Sequence, residues 1–168
     1  MRLIILFLLL CLSHLKGQDA VLKNAMRPIN NIGLNIGEGS AIALIYERIK
    51  DLDGKSFLAG KIGIGYNEEF KICVFGPCSS AKQFTIFPTS VSANLGNSKN
   101  YLELGLGHIY VSGKTNRPSA FYILGGYRFQ PLDRNKFNFR VYFSIPFSGY
   151  DNLELLFLPI GFSVGLCL

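Results

Sequence analysis

The stretch that most constrains this chain runs from Asn100 to Pro131, NYLELGLGHIYVSGKTNRPSAFYILGGYRFQP. Two alternating runs flank a polar loop. In the first, Leu102, Leu104 and Leu106 point one way, and Glu103, Gly105 and Gly107 point the other. In the second, Phe121, Ile123, Tyr127 and Phe129 share a face, opposed by Tyr122, Gly126 and Arg128. A period of two is a strand signal. The constraint lies opposite the bulky face, where glycine and isolated charge stand in place of the Lys, Glu, Gln and Thr of a water-facing strand.

The same rhythm runs through the chain. Alternating runs cover 31–37, 40–48, 57–66, 83–95, 137–147 and 159–168, besides the two above. Pro88, which lacks an N–H, predicts a bulge or a frayed start in the 83–95 run. Several runs reach the ~9–11 residues that a tilted strand needs to cross a bilayer. Connections alternate between short and long, as in outer-membrane barrels with short periplasmic turns and longer external loops. The connection Gly37-Glu38-Gly39 breaks that rule and reads as a tight external turn. The expected fold is therefore all-β, a single up-and-down antiparallel transmembrane β-barrel of about eight strands.

The N-terminus implies export. Met1-Arg2 is followed by ten apolar residues, LIILFLLLCL, and then Ser13 to Gly17. That run is about half of what a spanning helix needs, so it reads as a cleaved signal peptide. A lipid on Cys11 is the lesser alternative, since Leu10 before it is not small. The expected organisation is a signal peptide at 1–17, a short lead at 18–28 and the barrel at 29–168. With no helical span in prospect, a membrane form must be a closed barrel, because lipid leaves no partner for open backbone groups.

The character of the second face decides between lipid and a soluble core. In most runs it is Gly, Ala, Ser and Asn, with few charges: Glu47, Lys61, Glu103, Arg128 and Arg140. The interior of an eight-stranded barrel is just wide enough for side chains to fill, so small residues have a use there. Charges buried in it must pair. The five are expected to form a lumenal ion-pair network, with Glu103 paired to Arg128 and with Glu47 and Arg140 nearby. Tyr46, Tyr66, Tyr101, Tyr110, Tyr127 and Phe147 are candidates for interfacial girdles.

Three segments carry a family resemblance: Asn31 to Ser40 running on to Tyr46-Glu47-Arg48, then Tyr101 to Gly107, then Gly126 to Pro131. In that order they resemble a family of small outer-membrane β-barrel proteins of Bacteroidetes. The resemblance implies a barrel in the cell outer membrane and brings no activity with it.

Little else in the chain suggests chemistry. Cys73 and Cys78, spaced CVFGPC, form a candidate disulfide in an external loop, where Gly76-Pro77 supplies a turn. No metal site is expected, because no further Cys or His stands near them. No cofactor is expected. The formal charge of +6 falls to +4 once Arg2 and Lys16 leave with the signal. The remaining basic residues lie mostly in turns, which argues against nucleic acid. The expected partners are outer-membrane lipid and, during insertion, the barrel-assembly machinery; oligomeric state has no signal here. The expected role is structural or interactive, through the external loops, and not enzymatic. Two alternatives stand beside it. One is a lipid-modifying enzyme with His108 as base and Ser112 close by in sequence. The other is a soluble lipocalin-like binder whose bulky face turns inward around an apolar ligand.

Overall fold

A computed structural model describes residues 27–52, 55–68, 82–113, 115, 118–149 and 157–168. The signal segment, most of the lead and the Cys73–Cys78 loop lie outside the described residues.

Eight strands follow in chain order: β1 (Asn30–Gly37), β2 (Ser40–Asp51), β3 (Ser56–Glu68), β4 (Gln83–Asn97), β5 (Asn100–Ser112), β6 (Ser119–Phe129), β7 (Phe137–Ser148) and β8 (Ile160–Cys167). Each pairs antiparallel with the next, and β8 returns to β1, closing an up-and-down barrel. Closure leaves no free sheet edge. The strands match the expected runs to within a few residues and are often longer, because polar residues at their ends still complete the ladder. Pro88 corrects an expectation, for β4 passes through it without a bulge. Ile62 faces Thr89 and Gly65 faces Ile86 in one continuous register, and no pairing is made at the two positions between.

The connections sort onto two ends. The turn end carries the β2–β3, β4–β5 and β6–β7 connections together with both ends of the barrel chain. The loop end carries the β1–β2, β3–β4, β5–β6 and β7–β8 connections. The β1–β2 loop has two residues, with Glu38 at φ 54° and Gly39 at φ 74°. Such short hairpins favour positive φ because that twist matches the strands they join.

The two faces are chemically inverted relative to a water-soluble barrel. Leu34 is 54% exposed, Ile62 59%, Leu106 62% and Phe147 62%, whereas Glu103 and Arg128 are wholly buried. The bulky face is outward on every strand. This overturns the alternative in which that face lines an apolar ligand cavity.

The outward rings gather toward the two ends. Phe87 lies 6.2 Å from Tyr110 and Phe121 lies 6.4 Å from Phe147, both toward the loop end. Toward the turn end, Phe139 stacks on Phe129 at 5.3 Å and meets Tyr127 at 5.9 Å. Tyr101 does not join them, contrary to expectation. It shares the inward face with Glu103 and is 1% exposed.

Candidate functional site

The barrel interior is built in layers. At the turn end, Ile49, Phe57, Ala59 and Tyr101 form an apolar cluster, with Phe57 and Tyr101 edge to face at 4.9 Å. Arg27, from the chain just before β1, closes this mouth. Its guanidinium lies 4.5 Å from the Phe57 ring centre and 5.1 Å from that of Tyr101. It donates to the Tyr101 hydroxyl at 2.8 Å and pairs with Asp51 at 3.1 Å. Pro28 is buried beside it, and Ile29 accepts a backbone bond from Ile49 at 2.7 Å.

The charged layer comes next. Arg128 Nη1 donates to Glu47 Oε2 at 2.8 Å while Nη2 bonds Glu47 Oε1, a two-pronged pairing. Asn31 donates to Glu47 at 2.8 Å, and Gln130 accepts from Arg128 at 2.8 Å and from Asn31 at 3.2 Å. Arg140 Nε donates to Glu103 Oε2 at 2.8 Å, and Ser92 donates to the other oxygen of Glu103 at 2.6 Å. Lys61 bonds Glu38, which also receives Asn35 at 3.3 Å. Arg140 stands 3.9 Å from Glu38 and 3.8 Å from Glu47, linking the three pairs. Glu38, Glu47 and Glu103 thus face Lys61, Arg128 and Arg140, three charges of each sign. Each is nearly free of solvent contact.

Above this layer, Tyr142 donates to Asn35 at 2.8 Å. The loop-end mouth is filled by Phe84, Ile86, Ile109, Val111, Tyr122 and Leu124, with Phe157 from the β7–β8 connection packed against them. Tyr122 and Phe157 meet edge to face at 6.1 Å.

The five sequence-derived residues all lie inside, but their pairing differs from expectation. Glu103 was expected to pair with Arg128; its close partner is Arg140, and Arg128 stands 4.0 Å away. The register explains the exchange. Arg128 faces Arg140 directly across β6–β7, so the like charges diverge, one to Glu47 and the other to Glu103. Gly126, opposite Glu103 on β6, presents no side chain on that inward face.

Sequence reasoning missed Glu38, Arg27 and Gln130. Glu38 looked like a surface turn residue, yet its left-handed backbone turns the carboxylate down the bore to Lys61. An acid between two glycines at a hairpin tip, facing an unmatched strand lysine, was the available clue.

His108 lies on the outward face near the loop end, and its partner is not Ser112. Ser112 faces Thr85 across β4–β5, whereas Ser119 Oγ of β6 sits 2.6 Å from His108 Nε2. Cys167 is a free thiol in the lumen, receiving weak bonds from Gln130 and Asn138. No group of residues suited to holding a metal ion occurs among the described residues.

Fold and interior together define an eight-stranded up-and-down β-barrel with a filled, charge-paired lumen. No family model, curated protein or solved structure matches the chain.

Proposed function

We propose that this chain is an integral outer-membrane barrel that works through its loop end and outer wall, with its bore closed. The observation that carries the proposal is the inversion of the faces. A belt of Leu, Ile, Val and Phe surrounds the barrel, while three acids and three bases fill its interior. Contiguous apolar surface of that extent is rare on monomeric soluble proteins, and hydrocarbon is the solvent that favours it. The even strand number, the aromatic residues toward both ends and the small-and-charged interior agree with outer-membrane barrels. The N-terminal apolar run supplies export, and assembly machinery would receive the chain before insertion.

The interior argues for a structural bore. Arg128, Arg140, Tyr101, Tyr122 and Tyr142 are all essentially buried within it, and Arg27 and Phe157 pack into its two mouths. A structural or interaction role through the loops follows, with membrane lipid as the constant partner.

The test is flotation of the mature protein with lipid vesicles, joined to gel mobility with and without boiling. A membrane barrel floats with the vesicles and migrates faster unboiled. A mature protein that folds as a monomer in detergent-free buffer and stays unbound by vesicles would sink the proposal.

A further inference from the structure

The outward belt carries a polar break close to the loop end. Thr89 on β4, His108 on β5 and Ser119 on β6 stand there beside apolar neighbours. Thr89 and His108 face each other in register, and Thr89 Oγ1 donates to the His108 carbonyl at 3.2 Å. The imidazole lies against the Phe121 ring, centres 4.7 Å apart. Ser119 Oγ is 2.6 Å from Nε2, and both side chains are half-buried rather than sealed. With the ring proton on Nδ1, the serine hydroxyl donates to Nε2. That is the arrangement in which a base activates a weak nucleophile.

The level of the pair selects the substrate. Across β5–β6 Ser119 stands level with Tyr110 and His108 level with Phe121, so the pair lies among the loop-end rings, with the imidazole on their inner side. Aromatic rings at barrel ends sit at headgroup level. Groups on the inner side of those rings meet the ester linkages where headgroup passes into acyl chain. We propose, resting on the membrane reading above, that Ser119 and His108 are a nucleophile and base that hydrolyse an acyl ester of a membrane lipid.

In the first step Ser119 Oγ bonds to the ester carbonyl carbon and its proton passes to His108 Nε2. The ester C–O bond breaks, and the departing alcohol takes the proton back. Water then attacks the acyl-serine and gives one proton to His108. The Oγ–acyl bond breaks, Ser119 recovers its proton and the fatty acid leaves. Phe121 holds the ring in place; no carboxylate bonds Nδ1 among the described residues.

The experiment inserts the full mature chain into vesicles of phosphatidylethanolamine and phosphatidylglycerol, with flotation and heat-dependent mobility as insertion controls. Free fatty acid is measured by mass spectrometry, and a long-chain alkyl fluorophosphonate is mapped to its site of attachment. Inserted wild type is expected to release fatty acid and to carry the label on Ser119. Ser119→Ala and His108→Ala should each lose about a hundredfold or more of both signals, while Ser112→Ala keeps them. Inserted, heat-modifiable protein with neither release nor label would overturn the assignment and leave the barrel reading standing. Full release from Ser119→Ala would also overturn it. Failure of the wild type to insert would instead overturn the membrane reading, and this inference with it.

Discussion

Glu47 and Arg128 hold each other through both carboxylate oxygens across the full bore of the barrel. Their strands, β2 and β6, stand opposite in the eight-strand ring. The pair is therefore a strut and not a neighbour contact. Removing either partner leaves a buried charge uncompensated, which costs about 3–5 kcal/mol. Glu47→Gln and Arg128→Met should each destabilise by that order in urea unfolding of the reconstituted protein. The double variant should recover most of the loss. Simple additivity of the two single effects would contradict the strut.

Arg27 predicts a local effect. Arg27→Ala removes a cation over two rings, a hydrogen bond to Tyr101 and a partner of half-exposed Asp51. The expected loss is about 1–3 kcal/mol, by analogy with desolvated cation–π contacts and charged hydrogen bonds. Amide exchange should rise first at Ile49, whose N–H is bonded to Ile29 next to the plug, and should change little at β6 and β7. Uniform exchange throughout the barrel would argue against a local closure.

The glycines divide into two kinds. A Cβ on Gly107 would overlap the Tyr122 ring, and one on Gly161 would overlap Tyr142. Gly60 has nothing within 4 Å of that position. Gly107→Ala and Gly161→Ala should therefore each cost about 1–3 kcal/mol through overpacking. Gly60→Ala should be neutral or stabilise by up to about 1 kcal/mol through the unfolded chain. Urea midpoints of the three variants check the contrast.

Leu106, 62% exposed at the middle of β5, reports on the surrounding solvent. In a membrane, Leu106→Arg should cost about 2–4 kcal/mol near the midplane. On a water-exposed surface the same change should stay within about 0.5 kcal/mol. Unfolding from vesicles measures which holds.

The architecture could be read from the sequence because a period of two needs only neighbours along the chain. That pattern alone puts Leu102, Leu104 and Leu106 on one face and Glu103 on the other, and the small residues and isolated charges of the second face point the leucines outward. Partner choice could not be read so directly, because it depends on register between strands and on side-chain reach across the bore. Arg128 and Arg140 fall opposite each other, so the Glu103–Arg128 pairing inferred from adjacent strands gave way to Glu103–Arg140. Ser119 was passed over for the same reason. It is far from His108 in sequence and close only once β5 and β6 pair. Glu38 and Arg27 lie outside the alternating runs, where periodicity carries no information.

The charge-paired interior also bears on how the protein is made. Its members come from the β1–β2 turn and from β2, β3, β5, β6 and β7. A sheet lacking its later strands would carry Glu38, Glu47, Glu103 and Lys61 without Arg128 or Arg140, leaving excess negative charge with nothing to neutralise it. Under the proposed membrane reading, hydrocarbon would tolerate such a species poorly. Insertion would then be biased toward all-or-none assembly, with the chain held in a wet state until β8 meets β1.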